Sequence, residues 1–260
     1  MDIDMIRMVA LRAAKEAGAI LRQGLEQSRT IEYKGVKNLV TTVDRRSEAA
    51  IADLIRRKLP HHSVVCEEGT RLDGDSGYRW LIDPLDGTTN YAHGYPCFSV
   101  SIGVEKDGEL IFGLVYDPNL EELFTAERGA GAFLNGKRLQ VSTIHILSDA
   151  LLATGFPNDV AGTKNNNLDY FVRFMKHAQG IRRPGSAALD LCYVAAGRFD
   201  AFWELKLYPW DMAAGVLMVT EAGGRITDLR GGPHHLSNPQ IVASNGLLHE
   251  EMLRILALEG

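Results

Sequence analysis

Along residues 4–25, Met5, Met8, Val9, Ala13, Ala17, Ile20, Leu21 and Leu25 recur at three-to-four spacing, the pattern of a helix that buries one stripe. A second such pattern runs from about Asp44 to Leu59, with Ile51, Leu54, Ile55 and Leu59 on one face and Pro60 ending it. Strand-length runs follow at Val64-Val65-Cys66, Trp80-Leu81-Ile82, Phe98 to Val104, Leu110 to Tyr116 and Glu122 to Ala126, with turn signals at Asp107-Gly108 and Asn135-Gly136. The first half therefore reads as helices followed by an antiparallel meander. Beyond about residue 148 the pattern changes. Short apolar runs at Leu151 to Thr154, Ala201 to Trp203 and Ile241 to Ala243 alternate with helix patterns over 167–178, 186–196, 211–222 and 247–258, which is α/β grammar. No repeat, linker or biased segment intervenes, so two lobes, 1–148 and 149–260, are expected to share an interface with a ligand crevice between them.

A length of 260 residues suits one large domain or two fused lobes. Apolar residues at 45% and charged ones at 23% exclude fibrous and disordered classes. Acids outnumber bases 33 to 28 with both signs interspersed, so no direct nucleic-acid or anionic-membrane binding is expected, and any anion affinity must come from a local site. The longest stretch free of charged side chains, between Asp86 and Glu105, is broken by Asn90, His93, Pro96, Ser99 and Ser101 and cannot span a bilayer. The start, Met1-Asp2-Ile3-Asp4, has no basic region ahead of an apolar run, so no secretory leader is expected and the cytoplasm is the expected address. Cys66, Cys97 and Cys192 are odd in number and lack CxxC spacing, which predicts buried thiols rather than disulfides or a zinc cage. His61-His62 and His234-His235 read as exposed loop pairs, since adjacent residues rarely face one ion.

The chemistry concentrates in Trp80-Leu81-Ile82-Asp83-Pro84-Leu85-Asp86-Gly87-Thr88-Thr89-Asn90, an apolar strand ending in two carboxylates and a glycine turn. Alone it fits a plain surface turn as well as a site. Glu67-Glu68-Gly69 places more acids after another apolar strand, and Asp211 sits where a helix pattern begins; each could equally be a loop acid or a helix cap. What separates the readings is cost: acids gathered at the ends of buried strands repel one another unless a cation neutralises them. Carboxylates with a main-chain carbonyl, and no paired histidine or cysteine pattern, favour magnesium over zinc. Magnesium suggests phosphate chemistry, for which the amides of Gly87-Thr88-Thr89 and of Gly185-Ser186-Ala187-Ala188 offer two cradles. Asp83 and Asp86 stand three apart with Pro84 between them, unlike the D-x-D-G-T of aspartyl-phosphate enzymes. Gly129-Ala130-Gly131 runs into a strand rather than a helix, which excludes a dinucleotide turn.

These pieces together, Glu67-Glu68, D-P-x-D-G-T-x-N at 83–90, Gly185-Ser186-Ala187-Ala188, Glu204 and W-D-x-A-A-G at 210–215, resemble the magnesium-dependent inositol monophosphatase family across nearly the whole chain. The resemblance implies the layered αβαβα sandwich shared with fructose-1,6-bisphosphatase, an α+β lobe followed by an α/β lobe. It implies Mg2+-dependent hydrolysis of a phosphate monoester by activated water, with inositol 1-phosphate the leading substrate. Fructose-1,6-bisphosphate, histidinol phosphate, a 3',5'-bisphosphate nucleotide and NADP are alternatives within the superfamily. By the same resemblance Glu67, Asp83, the Leu85 carbonyl, Asp86 and Asp211 are metal ligands, with Asp83 shared between two ions. Asp44, Glu67 and Thr88 are catalytic, Thr88 with Asp44 taking the proton of the attacking water. Leu85, Asp86, Gly87, Thr88, Gly185, Ser186, Ala187, Glu204 and Asp211 contact substrate. Lys34 falls on a hairpin that in relatives closes over the metals, although the span to Asp44 is a residue shorter than in animal enzymes; Cys66 replaces a frequent glycine. The family also implies a homodimer and lithium inhibition. Bacterial members can double as accessory factors in transcription antitermination and ribosome assembly, so a transcription complex is an alternative partner; Arg182-Arg183 reads as a solvated strand end or a dimer contact.

Overall fold

A computed structural model describes residues 3–26, 31–35 and 38–258, with side chains described outside 26–41. Helix α1 (Ile3–Glu26) and helix α2 (Thr42–Lys58) flank a hairpin of β1 (Ile31–Gly35) and β2 (Asn38–Thr41). There follow β3 (Ser63–Cys66), β4 (Arg71–Leu72), β5 (Tyr78–Asp86), the short helix α3 (Thr88–His93), β6 (Ser99–Lys106), β7 (Glu109–Asp117), β8 (Glu122–Glu127), β9 (Gly131–Leu134) and β10 (Lys137–Arg138). These strands from β3 onward make one sheet in the order β10-β9-β8-β7-β6-β5-β3-β4. The expected meander runs from β5 to β10, whereas β3, entered from α2, lies parallel to β5. The rest of the chain forms β11 (Leu151–Thr154), α4 (Leu168–Met175), β12 (Gly180–Arg182), α5 (Ala187–Ala195), β13 (Ala201–Leu205), α6 (Pro209–Glu221), β14 (Arg225–Thr227), β15 (Gln240–Ser244) and α7 (His249–Leu256). Its five strands order as β12-β11-β13-β15-β14, parallel around β11 and antiparallel around β15.

Three apolar cores separate five layers. The first joins α1 and α2 to one face of the large sheet, through Ala10, Ala13, Ala17, Ile51 and Ile55 against Trp80, Ile102 and Leu114. The second joins the opposite face to α5, α6 and the inner face of the small sheet, and the third seats α4 and α7 on that sheet's outer face. This is the αβαβα sandwich that the family resemblance implies. Helices α5 and α6 are apolar all round because both their sides are covered.

The A-A-G of α6 has a packing cause. Gly103 and Gly113 are cross-strand partners on β6 and β7. A Cβ on Gly103 would lie 2.4 Å from the Ala213 Cβ, and one on Gly113 would lie 2.9 Å from the Ala214 carbonyl oxygen. On the other side, a Cβ on Gly215 would meet the Leu191 Cβ at 2.5 Å. Small residues let α6 lie on the sheet backbone and against α5, which fixes where its first turn ends up.

Asp107-Gly108 and Asn135-Gly136 turn their hairpins with both residues left-handed, at φ 51° and 87° and at 47° and 79°, as primed turns require. The histidine reading needs correction. His61 is exposed, but His62 is 2% exposed: its Nδ1 accepts from the Trp80 Nε1 at 2.9 Å and its ring stacks on Tyr78. Consecutive residues entering a strand point to opposite faces, so one of the pair goes inward. Burial lowers the His62 pKa to about 4. His234 is half-buried as well, while His235 is exposed. Cys66 and Cys192 are buried free thiols, Cys66 packing in the first core, and Cys97 is only partly covered. Among the described residues no helix is long and apolar enough to cross a membrane.

Candidate active site

Strand β5 is buried from Trp80 to Leu85 and ends at the crevice. Its pairing with β6 slips: Asp83 faces Ser101, but Asp86 faces Ser99, so three steps on β5 match two on β6. In a regular strand residues three apart point to opposite faces, and the extra residue of this bulge changes the parity so that both carboxylates line one cleft. Pro84 suits a bulge, having no N–H to pair; its carbonyl accepts from the Ser47 Oγ at 3.0 Å, and the Leu85 N–H donates to the Asp83 Oδ1 at 2.9 Å.

The parallel register sets Cys66 beside Ile82 and so delivers Glu67 next to Asp83; the Glu67 N–H donates to the Ile82 carbonyl at 3.1 Å. Buried Glu48 of α2 holds the loop that follows, accepting from the Glu68 N–H at 2.7 Å and the Thr70 N–H at 2.9 Å. At the turn into α3, Gly87 adopts φ 97°, a left-handed conformation that favours glycine. The Thr88 hydroxyl lies 3.1 Å from the Leu85 carbonyl and 3.3 Å from the Oδ1 of buried Asp44. The Asp86 Oδ2 accepts from the Ser186 hydroxyl at 2.6 Å and the Ala188 N–H at 2.8 Å, tying the end of β5 to the start of α5. Asn90 strengthens that tie by donating to the carbonyls of Cys97 at 2.7 Å and Pro184 at 2.8 Å. Asp211, in the first turn of α6, accepts from the Tyr208 N–H at 2.8 Å. Glu204 on β13 fits because residue 155 is glycine: a Cβ there would stand 2.0 Å from its Oε1.

The resulting cleft, about 430 Å³, is lined by Glu67, Asp83, Leu85, Asp86, Gly87, Thr88, Gly185, Ser186, Ala187, Glu204 and Asp211. Asp44 reaches it through Thr88 rather than lining it. Arg183 stands on its wall and Arg182 is exposed nearby. The side chain of Lys34 lies outside the described residues. Concentrated negative charge dominates the electrostatics. Burial, then Glu67, Asp86 and Asp211, push the Asp83 pKa well above the usual carboxylate range; burial and Glu67 do the same to Asp211. Burial raises Asp86 to about 6 despite its hydrogen bonds, and burial with the Asp86 charge raises Glu204 to about 8. Among the described residues no three acidic, histidine or cysteine side chains stand in finished metal-ligating geometry. Asp83, Asp86 and Asp211 each turn one oxygen to a protein donor, which leaves the other for a ligand. The carboxylates and main-chain oxygens of this lining, with surplus negative charge and no histidine or cysteine, fit a hard divalent cation.

Sequence reasoning passed over three polar residues that the fold makes important: Ser47, Glu48 and Asp190. For the first two a signal existed. Asp44, Ser47 and Glu48 continue into Ile51 at three-to-four spacing, so polar residues sit on the buried stripe of α2. Asp190 has no such mark.

The pattern described as "Inositol monophosphatase family" matches residues 2–258. The chain is similar to a protein named "Nus factor SuhB" from Pseudomonas aeruginosa, 47% identical over 91% of this chain and 90% of that one. It is similar to an inositol-1-monophosphatase of Mesorhizobium japonicum, 42% identical over 95% of this chain and 94% of the other. Among solved structures, the inositol monophosphatase from Anabaena (Nostoc) superimposes with a TM-score of 0.90 at 42% identity, covering 98% of this chain and 96% of that chain.

Proposed function

Because the chain belongs to the inositol monophosphatase family, we propose that it is a magnesium-dependent phosphatase acting on a small phosphate monoester, inositol 1-phosphate before other sugar and nucleotide phosphates. Water is the nucleophile in this reading and no phosphoenzyme forms. The observation that carries it is the convergence of Glu67, Asp83, Asp86 and Asp211 in one cleft, with the pKa of the last three raised. Lobe 1–148 supplies the first three and lobe 149–260 supplies Asp211, Glu204 and the turn at 185–187.

Glu67, Asp83, the Leu85 carbonyl, Asp86 and Asp211 would hold the metal. Bound magnesium supplies Lewis-acid charge that activates water and steadies phosphoryl and departing alkoxide oxygens. Thr88 orients the water and passes its proton toward Asp44, along the 3.3 Å contact between their side chains. Gly87 and Thr88 present backbone N–H groups to the phosphate, and Glu204 with Ser186 and Ala187 contacts the alcohol half. Thr88→Ala is expected to lower kcat about 10²–10⁴-fold with little change in KM, since it removes a proton-transfer group. Gly155→Ala is expected to displace Glu204 and raise KM for inositol 1-phosphate about tenfold, while a hydroxyl-free aryl phosphate is affected less.

The deciding experiment is phosphate release from a panel of inositol, fructose, histidinol and nucleotide phosphates with magnesium, with and without lithium. Turnover of none of them would remove the enzymatic reading. A partner role is the second reading, favoured by similarity to proteins named "Nus factor SuhB". Capture of transcription components by an Asp83→Asn variant as well as by the wild type would separate it from catalysis. A homodimer of this chain belongs to the same proposal and is checked by light scattering.

A further inference from the structure

Asp190 lies in the first half of α5, is 1% exposed and still lines the cleft. Among the described residues its buried Oδ1 has no hydrogen-bond partner. The contrast with its neighbours is sharp: Asp83, Asp86 and Asp211 are all held by backbone or hydroxyl donors. An unsatisfied buried polar group costs about 1–3 kcal/mol, and such groups are rare in native folds. Leucine or alanine at this position of an apolar helix would avoid that cost, so the carboxyl needs a partner that the protein does not supply.

Resting on the phosphatase reading above, we propose that Asp190 is a specificity-determining residue, binding with Glu204 a hydroxyl group on the alcohol half of the phosphate monoester. The two acids share the cleft, and Arg183 stands on its wall near both. A cationic substrate group would have to compete with that guanidinium, whereas a neutral hydroxyl does not. Burial and the charge of Glu204 also push the Asp190 pKa well above the carboxylate range, toward a neutral acid that offers one donor and one acceptor, the complement of an alcohol. A site built to bond a hydroxyl discriminates strongly against substrates that lack it.

The test compares wild type, Asp190→Leu, Asp190→Ala and Asp190→Asn in steady-state hydrolysis of inositol 1-phosphate and of 4-nitrophenyl phosphate, with thermal melts alongside. Leu and Ala should raise KM for inositol 1-phosphate at least tenfold and leave kcat/KM for 4-nitrophenyl phosphate within twofold. Their melting temperatures should match or exceed wild type, because the unpartnered buried oxygen goes with the carboxyl. Asn keeps a donor and an acceptor and should stay within threefold of wild type on both substrates. Equal losses on both substrates, no loss on either, or a melting temperature several degrees lower in both apolar variants would overturn the assignment. So would a wild-type preference for histidinol phosphate that Asp190→Leu abolishes, because that points to an ammonium. If wild type turns over neither ester, the phosphatase reading falls with it; if wild type is active and Asp190→Leu is unchanged, only Asp190 loses its role.

Discussion

Asp83→Asn is expected to eliminate phosphatase turnover, by at least about 10³-fold, while making the metal-free protein more stable. The amide keeps the Oδ1 that accepts from the Leu85 N–H, so the bulge is preserved. What it removes is a buried negative charge facing Glu67, Asp86 and Asp211. In chelator the variant should be more stable by about 1–3 kcal/mol, the range in which neutralising a poorly compensated buried charge acts. The sign follows from linkage. A carboxyl whose pKa is higher folded than unfolded favours the folded state most at low pH, and that stability is lost as pH rises through the folded value. With Asp86 near 6, Glu204 near 8 and Asp83 raised, metal-free wild type should lose stability between about pH 4 and pH 8. The Asn variant should lose less. Magnesium should raise the melting temperature of wild type and leave the variant nearly unmoved. Urea titrations at several pH values, with chelator and with magnesium, check each part.

Gly103→Ala is expected to cost about 2–3 kcal/mol of stability, as overpacking of a closed interface does, and to lower turnover at least tenfold although residue 103 lies outside the cleft. The new Cβ would stand 2.4 Å from the Ala213 Cβ and close to the Ala214 N, so α6 must lift from the sheet. Asp211 lies two residues before Ala213, and the Ser101 hydroxyl bonds the Trp210 carbonyl at 3.2 Å; lifting the helix moves that first turn. Adding Ala213→Gly should recover most of the activity and only part of the stability, because glycine inside a helix itself costs about 1 kcal/mol. Recovery of neither would mean that the close approach is not what positions Asp211.

Much of this was legible in the chain and some was not, for definite physical reasons. The stripes of α1 and α2 announce themselves because one side of each helix faces a core. Asp107-Gly108 and Asn135-Gly136 do so because few other residue pairs adopt those turns. Glu67, Asp83, Asp86 and Asp211 could be nominated because charge at the ends of apolar strands and at a helix start is conspicuous, whereas Glu204 came from the family resemblance. That β3 runs parallel to β5 was not legible, since strand direction depends on where α2 returns the chain and not on the residues of β3. Nor was the bulge that turns Asp83 and Asp86 to one side, because register is a property of the pair of strands. Asp190 and His62 look in sequence like any polar surface residue. Only the tertiary fold buries them, at 1% exposure for Asp190 and 2% for His62.

The central claim is that carboxylates from two strand ends and one helix start surround a shared cation. Its most direct test is a crystal soaked in manganese, as an anomalous stand-in for magnesium. The account predicts density within about 2.5 Å of oxygens from Glu67, Asp83, Asp86 and Asp211 and from the Leu85 carbonyl. A cleft without such a peak, or a peak bound elsewhere while those carboxylates point apart, would contradict it.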